Sequence, residues 1–299
     1  EAKTFPSCMA DLEVDLMHPN RTLVHGLFEE HTQVHGTPRR FLTYIPENLE
    51  YCQPCLVTAI PSGVHPEAYL ETSGLKDFAE EKQLFLHVED HWNPDGSDAD
   101  YLNAIYVTIQ ARDFYITMQD NIYLCGIGDA SFAAHQAAKR MASEWSGLMT
   151  FGELNGNLTQ DAQILHGEES QGEVELKIMG TRAQLPVWMR ISERNSRENC
   201  SAIAYWKEQN HVTGIALSGG GADEIWAPTP VRVRSEVNEE YIAQVRVAVE
   251  TEDFSVKHIE QAWEYIGLAR RHRGQGRKCL RYFKDPIACG AVKWEKKVD

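Results

Sequence analysis

Apolar residues recur along this chain with two different periods. Alternation with period two marks 27–33 and 40–45 as strands, and the intervening His35-Gly36-Thr37-Pro38 has the chemistry of a hairpin turn. Short, unbroken apolar runs follow at 56–60, 84–88, 121–125 and 186–191, as expected of strands buried on both faces. Alternation returns at 231–234 and 242–249. Between the runs, helical spacing predicts α-helices over 75–82, 101–111, 131–143, 200–209 and 256–270. Residues 1–24 carry little periodicity and read as an N-terminal arm.

Two opening strands followed by repeated strand–helix units imply an α/β protein: a mostly parallel twisted sheet with helices on both faces. Sheets of this kind hold ligands beyond the carboxyl ends of their strands. The segments that fall there are 62–65, 89–91, 126–130, 192–195 and 250–255. Of the 299 residues, 42% are hydrophobic, enough for a large core. The formal net charge of -15 disfavours nucleic acid and anionic membrane surfaces as partners. The basic cluster Arg270-Arg-His-Arg-Gly-Gln-Gly-Arg-Lys278 is the exception, and it reads as the solvated end of the last helix. No apolar run is long enough to predict a membrane span. Seven irregularly spaced cysteines argue against a disulfide framework. The compartment does not follow from these residues, a cytoplasmic one being the slight preference. Cys52-Gln-Pro-Cys55 precedes a strand instead of opening a helix, so it reads as an inert turn and not a redox motif. Glycine-rich 218–222 lacks the Lys-Ser/Thr step of a phosphate loop and reads as a connection between strands.

The chemistry concentrates in Tyr123-Leu-Cys-Gly-Ile-Gly-Asp-Ala-Ser-Phe-Ala-Ala-His135, where an apolar strand turns directly into a small-residue helix. Such a turn can raise a nucleophilic serine above a sheet, but the middle of the pentapeptide 126–130 is Gly128. Other stretches accompany it in order: Arg40-Phe-Leu-Thr-Tyr-Ile-Pro46, Pro61-Ser-Gly63, Trp145-Ser-Gly-Leu148 and Leu185-Pro-Val-Trp188. Ala204-Tyr-Trp-Lys207 with Asn210, and Ala262-Trp-Glu-Tyr265, complete the set. On these residues the chain resembles the α/β-hydrolase superfamily over 25–285, and within it polyhydroxybutyrate-depolymerase-like and feruloyl-esterase-like proteins. The resemblance implies an α/β-hydrolase fold with Trp188, Trp206 and Trp263 in its core. It also implies a serine–histidine–acid triad.

Matched residue by residue, the serine position is Gly128 and the acid position is Asn195, with Glu193 the nearest carboxylate. The loop 250–255, where the histidine is expected, contains none; His258 follows inside the predicted helix, at a position expected to face solvent. Three joint departures imply a domain that has lost catalysis and serves as a binding, structural or regulatory module. Its vestigial cleft would be lined by Ser62, Gly63, Val64, Asp90, His91, Trp92, Gly128, Asp129 and Asn195, open to a small-molecule ligand. The alternative is an active carboxylic-ester hydrolase with a displaced nucleophile, Ser131, served by His258. A third reading places a metal at His87, Asp90 and His91, although an ordinary polar loop is the main reading of those residues. No cofactor is implied. The stretch 290–299 parallels 26–35 in one glycine and one valine, so 286–299 reads as an extension leading toward a fused hydrolase domain.

Overall fold

The computed structural model describes residues 2–4, 24–50, 53–90, 98–111, 121–159, 183–212, 217–226, 243–274 and 277–282. The predicted strand 231–234, His91, Trp92, Cys52, most of the N-terminal arm and the extension 286–299 lie outside them. The chain opens with β1 (Lys3–Thr4), β2 (Gly26–Val34) and β3 (Thr37–Ile45). The last two form an antiparallel hairpin closed by His35 and Gly36, both at positive φ (49° and 77°). That is the two-residue turn whose twist matches the flanking strands.

Then come β4 (Cys55–Ala59), α1 (Pro66–Thr72), α2 (Leu75–Lys82), β5 (Phe85–Glu89), α3 (Asp98–Gln110) and β6 (Ile122–Ile127). They are followed by α4 (Ser131–Arg140), β7 (Gly147–Phe151), β8 (Val187–Ile191) and α5 (Arg197–Gln209). The hairpin β9 (Leu217–Gly219) and β10 (Ala222–Trp226) precedes β11 (Val245–Val249) and α6 (Val256–Ile266). A separate hairpin, β12 (Ala269–Gly274) and β13 (Arg277–Tyr282), ends the described chain. Among the described residues the main sheet runs β1-β2-β3-β5-β4-β6-β7-β8-β11-β10-β9. It is parallel from β5 through β4, β6, β7 and β8 to β11. The central strands bury both faces, as their unbroken apolar runs require. On one side Cys55, Val57, Leu124, Leu148, Met189 and Val247 pack beneath α3, α4 and α5. On the other, Leu56, Tyr123, Cys125, Met149 and Trp188 pack beneath α1, α2 and α6. Trp188 and Trp206 are buried and Trp263 is half-buried, each against this core.

Helix boundaries follow local chemistry. Pro66 opens α1 at its first position, where its missing N–H is harmless. Ser196 caps α5 by accepting the Asn199 N–H, three residues earlier than apolar spacing alone suggests. The predicted helix over 256–270 is corrected: α6 stops at Ile266 with Gly267 as its cap. The Tyr123 hydroxyl donates to the Ala269 carbonyl at 2.6 Å and fixes the exit, so the basic cluster enters a hairpin and Arg270 is buried. It is not a solvated helix end. The triple glycine is the expected connection between strands, with Gly220 and Gly221 at φ 56° and 79° in the β9–β10 turn.

The seating of α4 on β6 depends on one missing side chain. A Cβ on Gly126 would fall 2.7 Å from Ala134 Cβ and 2.9 Å from the Ser131 backbone. Alanines 130, 133, 134, 137 and 138 extend this close approach along the helix. We expect Gly126→Ala to destabilise the fold by about 1–3 kcal/mol through overpacking. Urea denaturation checks this, and unchanged stability would show that α4 can move aside freely.

Candidate functional site

At the carboxyl end of β6 the chain leaves the sheet through Gly128, whose φ of 62° lies in the left-handed region. A single 3-10 turn over Gly128–Ala130 leads into α4. This is the backbone of a nucleophile elbow. Its central residue carries no side chain, and its surroundings are closed in. A Cβ there would stand 3.2 and 3.3 Å from Pro61 Cγ and Cβ. The backbone after β7 also lies so close that a Cβ on Gly152 would fall on the Gly128 carbonyl.

The structure brings Ser62 and Asp129 together across the mouth of the elbow. The Ser62 N–H donates to Asp129 Oδ1 at 2.9 Å, and the Ser62 hydroxyl donates to Oδ2. Gly63 and Val64 are exposed beside them. Ser131, the displaced-nucleophile candidate, is fully buried, and its hydroxyl donates back to the Gly126 carbonyl at 3.3 Å. One turn along α4, His135 is also fully buried. Its Nδ1 accepts the Trp206 indole N–H at 2.8 Å, so its Nε2–H donates to Thr150 Oγ1 at 3.0 Å. Burial holds this imidazole down at about 3. It is a neutral core histidine.

Asn195 lies exposed in the loop after β8. That loop is organised instead by Glu153, which directly follows Gly152. Glu153 Oε1 accepts from the Ser192 hydroxyl at 2.7 Å and the Glu193 N–H at 3.1 Å, while Oε2 accepts from the Asn199 amide. Burial pushes the Glu153 pKa up, but these donors outweigh it and hold the carboxyl below its ordinary range.

His258 is half-buried, its side chain 12% exposed, where the sequence reading expects a solvent-facing position. It occupies the third position of α6 in a capping box, where Nδ1 accepts the Ser255 N–H at 3.0 Å. Its Nε2 lies 3.6 Å from Glu250 Oε2, and Arg190 Nε donates to that same oxygen at 2.8 Å. Burial and the Arg190 charge lower its pKa against the pull of Glu250. The helix start fixes the orientation of this ring through Nδ1. With Gly220, Gly221 and Gln261 it borders an open depression of about 550 Å3.

His87 and Asp90 do not converge on a common point. His87 is buried on β5, its Nδ1 2.9 Å from Thr43 Oγ1, and the Thr43 hydroxyl donates on to Glu30. Asp90 Oδ2 accepts from Arg40 at 2.7 Å, and Arg40 also pairs with Glu29 and Glu67. Arg40 thus ties the hairpin β2–β3 both to α1 through Glu67 and to the end of β5 through Asp90. Between them Glu89 is fully buried, and desolvation plus the Asp98 charge push its carboxyl well above the ordinary range. The sequence reading quotes Pro61 only as part of the resemblance and passes over Gly152 and Glu153. Nothing in the apolar pattern separates them from loop residues, since their roles arise only when β7 lies beside β6.

Comparison with solved structures identifies the fold. An acetyl xylan esterase from Aspergillus awamori aligns over 81% of this chain and 99% of its own, with a TM-score of 0.54 and 13% identity. A fluorophosphonate-binding serine hydrolase of Staphylococcus aureus aligns over 80% and 94%, with a TM-score of 0.48 and 10% identity. An esterase from Pyrobaculum calidifontis aligns over 62% and 73%, with a TM-score of 0.44 and 15% identity. No protein-family model matches the sequence, and no curated protein matches it. The chain has the α/β-hydrolase fold, in agreement with the sequence reading.

The buried histidine gives the stability a defined pH dependence. The folded chain refuses a proton at His135 until about pH 3, whereas the unfolded chain accepts it below about 6.5. Stability is therefore complete above about 6.5 and falls as the pH drops, by up to about 1.4 kcal/mol per pH unit. His258, also held low, adds in the same direction. Comparing urea midpoints at pH 7 and pH 5, we expect His135→Gln to lose about 1–2 kcal/mol less than the wild type. Parallel pH slopes in the two proteins would contradict the assignment.

Proposed function

We propose that this chain is a non-catalytic α/β-hydrolase-fold domain of esterase ancestry, related to polyhydroxybutyrate-depolymerase-like and feruloyl-esterase-like proteins, that works as a binding or structural module. The observation carrying this reading is the elbow itself: its apex is Gly128, at φ 62° and confined by Pro61 and Gly152. Acyl transfer through such a turn needs a hydroxyl at the apex, a mobile imidazole beside it and a carboxylate to orient the ring. The apex has no hydroxyl. His258 is committed to capping α6, and Asn195 brings no charge to the acid position. Ser131 is buried and bonded to its own strand. The likeness to named esterases supports the ancestry through the fold alone. The domain would comprise 25–285, with its ligand at the carboxyl edge of the sheet.

Hydrolysis of short-chain p-nitrophenyl esters tests the proposal in the wild type, Gly128→Ser and Ser131→Ala. We expect no turnover above background in any of the three. Gly128→Ser should also lose about 1–2 kcal/mol of stability, because serine is strained at this φ and its Cβ crowds Pro61. Wild-type turnover that vanishes in Ser131→Ala would establish a displaced nucleophile. Turnover gained in Gly128→Ser would show that a histidine and an acid still serve the elbow. The first result overturns the proposal; the second leaves the wild type non-catalytic and overturns the argument that its histidine and acid positions are lost as well.

A further inference from the structure

The triple glycine 219–221 lies against two side chains whose donors the fold leaves open. Arg246 on β11 is half-buried, with its guanidinium 3.8 Å over the Tyr265 ring and its Nε donating to Gln244 Oε1 at 2.8 Å. The Tyr265 hydroxyl accepts the Gln244 N–H at 2.9 Å, so the stack and the hydrogen bond hold the guanidinium in one orientation. Among the described residues, nothing accepts from its two terminal nitrogens and no carboxylate pairs with it. Arg39, Arg40, Arg140, Arg190 and Arg194, by contrast, each hold an Asp or Glu. Burial lowers the Arg246 pKa from the ordinary arginine value, and Tyr265 alone opposes the shift. A half-buried charge without a counter-charge is costly, and a bound anion relieves that cost.

The turn leaves room for one. Gly220 and Gly221 stand at φ 56° and 79°. Where a Gly220 Cβ would stand, the one described atom within 4 Å outside the adjoining residues is Arg246 Nη1, at 3.4 Å. A Cβ on Gly221 would collide with the Gln261 amide, which makes no hydrogen bond among the described residues. Gly220, Gly221 and Gln261 also line the depression of about 550 Å3 beside α6. We propose that Arg246, Gln261 and this turn form a binding site for a small monocarboxylate. The guanidinium fork matches the two oxygens of a carboxylate, and the Gln261 amide supplies a further donor. Glu250, Glu252, Glu260 and Glu264 outnumber Lys257 around the rest of the depression, so each additional negative charge on a ligand is disfavoured. That selects a monocarboxylate over a phosphate dianion.

The inference names a ligand for the binding module proposed above and rests on that reading, but no residue of the site belongs to the elbow. Ester hydrolysis by the wild type would sink that reading and leave the binding result standing. Acetate, and inorganic phosphate in parallel, are titrated into the full chain while the Gly220 and Gly221 amide resonances are followed. We expect a saturable shift with acetate, at a Kd of about 1–10 mM, and phosphate binding at least about threefold weaker. Arg246→Gln should weaken acetate at least about tenfold and Gln261→Ala about threefold, as expected for one charged and one neutral hydrogen-bonding group. Acetate that gives no saturable shift overturns the inference. So does phosphate binding more tightly than acetate, or acetate binding unchanged in Arg246→Gln. Should Arg246→Gln not fold, Arg246→Lys keeps the charge and loses the fork. Acetate binding weakened severalfold is expected there, and unchanged binding would equally reject the site.

Discussion

The closeness with which α4 sits on β6 governs the carboxyl edge of this sheet. Gly126 has no room for a Cβ, and Ala134 and the Ser131 backbone fill the space where one would stand. With the helix this near, the connection between strand and helix must reverse within three residues, and Gly128 accepts the left-handed backbone this requires. Pro61 and Gly152 then pack against the apex. The geometry that lets a hydrolase display a nucleophile is intact here, with its apex enclosed by neighbouring backbone and ring.

Around that apex, carboxylates cross from one loop to the next. Asp129 reaches the loop after β4, Glu153 the loop after β8, and Glu250 binds Arg190 of β8. Asp90 and Glu67 share Arg40. Individually these contacts are modest, since partly exposed ion pairs contribute at most about 1 kcal/mol. Bonds from backbone N–H groups to a partly buried carboxylate are stronger, at about 1.5–3 kcal/mol. Their combined effect is geometric: the loop after β4 is tied to the elbow, and the loop after β7 to the loop after β8. At this edge Asp129, Glu153 and Glu250 serve as ties between segments.

Much of the fold was legible because buried parallel strands must be apolar on both faces. That pattern located β4, β5, β6 and β8 and the loops at their carboxyl ends. It missed β7, whose Gly-Leu-Met-Thr-Phe run opens on a glycine, and α1, which is announced by a proline more than by spacing. The end of α6 was misplaced because Gly267 is a small residue among larger ones, and the pattern does not reveal that Tyr123 will hold the next segment. The site was legible only as a set of positions. That Gly128 lacks a hydroxyl is a fact of sequence; that Asp129 would turn toward Ser62, or that His258 would cap a helix, depends on strands brought together from distant parts of the chain.

The strand order also dictates when the chain can begin to fold as it is made. The β2–β3 hairpin closes through a two-residue turn and needs nothing that comes later. The next strand, β4, has both of its partners downstream: β5 on one side and β6 on the other. Cys55–Ala59 thus emerges from the ribosome as an apolar ribbon with both edges open; β5 can cover one once residue 89 is made, and the other stays open until residue 127 has been synthesised. At 5–20 residues per second, roughly 4–15 s separate the two events. For that interval the nascent chain is a natural client for a chaperone that shields unpaired strands.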